Sequence, residues 1–120
     1  MSEHDEQVYL FQWVDTMKAS IPALNWIHAN PNGGLRNKIT AAKMKAEGQK
    51  KGVPDIYLMS PKGNYHGLAI EMKFGKNKVT PEQEQWLAHL QDVGYMTAVC
   101  YSWVEAKNTI LFYLEETCQP

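Results

Sequence analysis

Only two of the 120 residues are cysteine, Cys100 and Cys118, which excludes a scaffold stapled by disulfides. Glycine and proline are also sparse, at eight and six, so the chain is neither collagen-like nor a low-complexity linker. No apolar run approaches the ~20 residues that cross a bilayer. The opening Met1-Ser2-Glu3-His4-Asp5-Glu6 is acidic, where a signal peptide is basic. These absences leave a protein without a membrane segment, expected in reducing cytoplasm. What is present is 44% hydrophobic, 11% aromatic and 21% charged, the make-up of one domain over residues 1–120 with a single core. Cys100 lies in an apolar run and reads as core, whereas Cys118 reads as a free thiol near the carboxyl end.

Charge is distributed in blocks. From Arg36 to Lys78 ten bases face three acids (Glu47, Asp55 and Glu71), and the rest of the chain holds two bases, Lys18 and Lys107, against ten acids. The total of −1 therefore hides a basic centre, the feature a polyanion-binding face needs. On charge alone, a lysine-rich solvated face fits equally well.

Hydrophobic spacing at Val8, Leu10-Phe11, Trp13-Val14 and Met17, behind a Ser2-x-x-Asp5 cap, predicts a helix over 3–18. Leu24 to His28 reads as a short strand stopped by Asn30-Pro31-Asn32-Gly33-Gly34, and 37–47 as a helix ending at Gly48. Asp55 to Met59 and Gly67 to Lys73, separated by Ser60-Pro61-Lys62-Gly63-Asn64, are predicted to pair as a hairpin. Thr80-Pro81 opens the next helix and Gly94 stops it. Tyr95 to Tyr101 reads as the fourth strand, and Ser102-x-x-Glu105 opens a last helix to about 116. The order α-β-α-β-β-α-β-α predicts an α/β domain with a mixed central sheet flanked by helices.

Chemistry concentrates at Pro54-Asp55 and Glu71-Met72-Lys73. Alternation along a strand turns Glu71 and Lys73 to one face and Ile70, Met72 and Phe74 to the other. Charges flanking an apolar strand are costly unless paired or bound to metal. If Asp55 begins the neighbouring strand, its carboxylate reaches Glu71, and two carboxylates share a small volume with an ammonium. Such a set suits Mg²⁺ or Mn²⁺ held by Asp55, Glu71 and the Met72 carbonyl, with Lys73 orienting water or stabilising charge in phosphodiester hydrolysis. Glu105-Ala106-Lys107 is a second E-x-K, but in a predicted helix residues two apart do not share a face. The bland alternative for the first copy is an edge-strand ion pair, with Asp55 capping a turn.

Several further motifs occur in order: Glu3-x-x-x-Gln7, Pro31-Asn32-Gly33-Gly34-x-Arg36, Gly52-Val53-Pro54-Asp55, His66-Gly67-Leu68-x-Ile70-Glu71-x-Lys73, Thr80-Pro81-x-Gln83-x-x-Trp86 and Gly94-Tyr95. With these the chain resembles the VRR-NUC family, a branch of the PD-(D/E)xK nucleases, and most closely its compact stand-alone bacterial and phage members. The resemblance implies a restriction-endonuclease-like fold and an endonuclease dependent on Mg²⁺ or Mn²⁺ that acts on branched DNA in the cytoplasm of a bacterial host. By motif, it makes Asp55 and Glu71 metal ligands, Lys73 the catalytic lysine and Gln83 a helper from the following helix. It also implies a first-helix acid, for which Glu3 fits the spacing and Glu6 lies close. Small members resemble four-way (Holliday) junction resolvases, which act as homodimers. A flap or nicking nuclease is the other enzymatic reading, and a non-catalytic nucleic-acid-binding module the third.

Arg36 and Lys38, beyond the Gly-Gly turn, are candidate phosphate contacts. Lys50 and Lys51, with Lys43 and Lys45, read as a diffuse DNA-facing surface, and Lys76 and Lys78 follow the catalytic strand. His4, His28, His66 and His89 lack metal-ligand spacing. Trp13, Trp26, Trp86 and Trp103 read as core, interface or cap residues rather than stacking platforms.

Overall fold

Ser2 starts the first helix, α1 (Glu3–Met17), its Oγ accepting the Asp5 N–H at 3.1 Å. The computed structural model describes residues 1–31 and 38–115. After α1 come β1 (Ile27–Ala29), α2 (Lys38–Ala46), β2 (Ile56–Leu58), β3 (Leu68–Met72), α3 (Pro81–Asp92), β4 (Met96–Cys100) and α4 (Trp103–Leu114). The sheet runs β1-β2-β3-β4, with the first two pairings antiparallel and the last parallel. The fold is thus α/β with a mixed sheet, in the predicted element order. A short turn suffices for the β2–β3 hairpin, whereas the parallel β3–β4 pair needs a long crossover, which α3 supplies.

One expected strand is largely something else. Residues Pro22–Trp26 form a 3₁₀ helix, and β1 begins only at Ile27. Pro22 sits in the first turn, where its missing N–H costs nothing, and the Asn25 side-chain amide donates to the Pro22 carbonyl at 2.9 Å. That local bond offers the backbone an alternative to the ladder. Leu24 still reaches the core, but Trp26 is 66% exposed, which removes it from the core among the readings offered for the tryptophans. Trp13 and Trp103 do pack against the core.

The register separates the sheet's two faces. Ile56 and Leu58 of β2 oppose Ile70 and Leu68 of β3. With Met72 and Cys100 they join Leu10 and Val14 of α1, and Ala106, Ile110 and Leu114 of α4, in one buried cluster. Cys100 is buried, as expected, and Cys118 lies outside the described residues. On the opposite face, Tyr57, Ala69 and Thr97 form one row and Glu71 pairs with Val99. Glu6, buried in α1, accepts the Trp103 N–H at 2.8 Å through Oε1. It thereby satisfies an orphan donor at the start of α4 and ties the two core helices together.

The caps that the sequence marks are made. Ser102 Oγ accepts the Glu105 N–H, while the Glu105 carboxylate accepts from Tyr101, one residue further back than a capping box requires. Gly94 ends α3 with φ +98°, and a Cβ there would lie 2.6 Å from the His66 ring, so only glycine serves. α2 presents no buried residue. Among the described residues no helix is long and apolar enough to cross a membrane.

Candidate active site

A cleft of about 910 Å³ opens on the sheet face that α3 covers, and Glu3, Asp55, Glu71 and Gln83 line it together. Four separate elements deliver these groups. Glu71 comes from β3, where the whole strand is buried, and is itself only 2% exposed. Asp55 stands one residue before β2. Its Oδ2 accepts the Met72 N–H at 2.8 Å, so the carboxylate bridges to the strand that carries Glu71. Met72, expected as a carbonyl ligand, meets Asp55 through its N–H while its side chain fills the core.

Gln83 is oriented by the cap of α3. Its Oε1 accepts the Thr80 N–H at 2.8 Å, while the Thr80 hydroxyl accepts the Gln83 N–H, a complete capping box. With Oε1 committed, the amide must present its NH₂ outward, and Nε2 donates to Glu71 Oε2 at 3.1 Å. The Lys73 ammonium lies 3.9 Å from the same oxygen, and its side chain is also largely buried. Glu71 Oε2 is therefore well served. Its other oxygen, Oε1, is buried with no hydrogen-bond partner.

The electrostatics follow from burial. Desolvation pushes the Glu71 carboxyl up to about 9, and the negative charge of Asp55 pushes the same way, while Lys73 opposes them. Glu3 is also raised, by burial first and then by Asp55, with Lys73 opposing. Glu3 thus belongs to the same electrostatic cluster. Glu6, the other candidate in α1, faces away and caps α4.

The donor set is all oxygen. Among the described residues no three His, Cys, Asp or Glu side chains converge on one point as a ready-made cage. Mg²⁺ and Mn²⁺ accept such a sparse set, completing octahedral shells with carbonyl oxygens and water. An acceptor oxygen buried without a donor is what a cation would satisfy, so Asp55 and Glu71 fit a hard divalent ion.

Lys45, Lys50 and Lys51 line the cleft, as do Gln49 and Trp86. The loop carrying Lys50 and Lys51 approaches α3 so closely at Gly52 (φ +90°) that a Cβ would sit 2.7 Å from the Glu82 backbone. Lys51 also pairs loosely with Glu82 at 3.9 Å. Lys38 begins α2, exposed, and Lys76 and Lys78 are exposed beyond β3; none of the three lines the cleft. Arg36 lies outside the described residues. Trp86, read from sequence as a core, interface or cap residue, follows Gln83 by one helical turn and lines the cleft, and that i,i+3 spacing was the available signal. The Glu105–Lys107 pair is split as expected, Glu105 bonding Tyr101 and Lys107 lying 5.5 Å from the Trp103 ring centroid.

Comparison with known proteins agrees with this fold. A family model described as VRR-NUC domain matches residues 1–103. A solved structure described as a VRR_NUC domain protein is 29% identical, with a TM-score of 0.79, over 96% of this chain and 89% of that one. No curated protein matches.

Proposed function

The chain belongs to the VRR-NUC family, and we propose that it is a metal-dependent endonuclease that hydrolyses DNA phosphodiester bonds, resolving four-way junctions as a homodimer. Membership implies a nuclease-type function. The single observation that carries the metal-dependent reading is the Glu71 oxygen buried without a partner beside Asp55.

Asp55 and Glu71, with the Met72 carbonyl, would hold Mg²⁺ or Mn²⁺. Bound there, the ion supplies Lewis-acid chemistry, acidifying a water and offsetting phosphoryl charge. The remaining work falls to the chain's own groups. Gln83 fixes the Glu71 carboxylate by donating to Oε2, so Oε1, which has no donor, would be the atom offered to the ion. The Lys73 ammonium, beside that carboxylate, orients the attacking water and stabilises the negative charge gathered on the oxygens as the phosphorus becomes five-coordinate. Glu3 adds a carboxyl at the cleft's edge. Lys45, Lys50 and Lys51 offer ammonium groups to neighbouring phosphates, which is recognition by charge and shape rather than by base. Cutting two opposed strands of a junction requires two such sites, hence the homodimer.

The test is cleavage of a mobile four-way junction, a flap and a plain duplex, each with Mg²⁺, Mn²⁺ or EDTA, beside the Lys73→Ala variant. Paired symmetric cuts in the junction, abolished by EDTA and reduced by about 10²–10³-fold in Lys73→Ala, are expected. Cuts confined to the flap would replace the resolvase reading with a nicking nuclease. Absence of metal-dependent cutting on all three would leave a binding module.

A further inference from the structure

Asn30 enters the sequence only as part of a turn signal, yet its two donors both go to the segment that carries Asp55. Its backbone N–H donates to the Asp55 carbonyl at 2.7 Å, and its side-chain amide donates to the Pro54 carbonyl at 2.8 Å. Those two carbonyls belong to the peptide planes on either side of the Asp55 Cα. Because peptide units are planar, only φ and ψ relate two consecutive planes. Pinning both planes to one residue therefore fixes both torsions and, with them, the direction of the Cα–Cβ bond.

The location makes this more than a ladder bond. The β1–β2 register ends at Ala29 opposite Ile56, and Asn30 continues it by one residue. The Asn30 side chain reaches one residue further along the neighbouring segment, to the Pro54 carbonyl. Pro54 restricts its own φ as well, so Asp55 follows a stiff residue and is clamped across the sheet. At the carboxylate end, Oδ2 is held by the Met72 N–H. We infer that Asn30 is a positioning residue for the metal site, setting the Asp55 carboxylate in register with Glu71 through the two carbonyls that flank it. The inference rests on the nuclease reading above.

Partners that orient a metal ligand typically cost about 10–100-fold in metal affinity when removed. The experiment is Mn²⁺ titration, followed by the loss of the free-ion electron paramagnetic resonance signal, on the full chain without DNA. It compares wild type, Asn30→Ala, Asn30→Asp, Asp55→Asn and the double variant Asn30→Ala/Asp55→Asn. Asn30→Asp keeps the size of the side chain, removes its donor and adds a negative charge that by itself would attract Mn²⁺, so a loss of affinity there carries the test if the alanine variant does not fold. Both Asn30 variants are expected to bind Mn²⁺ about 10–100-fold more weakly. The double variant is expected to bind as weakly as Asp55→Asn alone, because Asn30 acts through a carboxylate already removed. Affinity within about twofold of wild type in the variants that fold would overturn the inference while leaving the nuclease reading intact. Losses that simply add in the double variant would also overturn it, since a general structural role predicts addition. A wild type that does not bind Mn²⁺ would overturn both.

Discussion

The two faces of the sheet obey opposite rules. Toward α1 and α4, β2 and β3 present Ile56, Leu58, Leu68, Ile70 and Met72 to a cluster of apolar side chains. Toward α3, the same strand β3 buries Glu71, with one oxygen unsatisfied. The first face stabilises the fold by excluding water. The second gives up stability, since a buried carboxyl without a full set of donors is unfavourable until something supplies them. One strand serves both because its side chains alternate, so apolar packing on one side holds a costly arrangement rigid on the other.

The sharpest way to break this contrast is to damage each face separately. Ile110→Ala, in a residue with no exposure on the apolar side, is expected to cost about 2–5 kcal/mol of unfolding free energy, read by denaturant melts. Site chemistry should survive in whatever fraction remains folded. Lys73→Ala on the other side is expected to do the reverse. Cleavage of the junction should fall by about 10²–10³-fold, with a melting temperature at or above that of wild type. A drop in stability matching the Ile110 variant would mean that Lys73 belongs to the core.

A pH series sharpens the comparison. In chelator the folded protein keeps the Glu71 proton up to about 9, whereas an ordinary glutamate loses it near 4.5. The folded state therefore binds more protons than the unfolded chain between those values, and stability falls as pH rises through that window. Glu71→Gln should flatten this part of the slope and melt above wild type near its upper end. An unchanged slope would locate the titration elsewhere. The smallest effect belongs to the cleft wall. Neutralising Lys50 and Lys51 should weaken binding to all DNA sequences and reduce the logarithmic salt slope by about 0.9 per lysine. An unaltered slope would mean that neither ammonium meets phosphate.

The sequence was most legible where one local rule decides the outcome. Thr80-Pro81 and Gln83, Ser2 and Ser102 all act at helix starts as their types require, and alternation assigned Ile70 and Glu71 to different faces. The Leu24 to Trp26 segment misled because its composition suits a strand, while Pro22 and Asn25 bend the backbone through a bond that composition does not reveal. Glu3 and Glu6 could not be separated from spacing alone. Both lie in the first turns of one helix, and what divides them is Trp103, far along the chain, whose N–H claims Glu6. Asn30 was unreadable for a similar reason, since its partners are carbonyls of another strand. Lys45 and Trp86 were visible as residues, but their place on the cleft depends on how α2 and α3 are set around it.

The Glu6–Trp103 bond also orders events in time. It spans 97 residues, and contacts so distant in sequence form only after a large loop-closure entropy has been overcome. α1 is made before α4, but its docking surface includes the start of α4. Glu3 lies on the turn of α1 just before Glu6, so the carboxylate it brings to the cleft arrives with that late docking. A ribosome-bound chain lacking α4 can pair β2 with β3 and bring Asp55 to Glu71, yet it lacks the helix contact that seats Glu3. Completion of the cleft is in this way coupled to the arrival of α4.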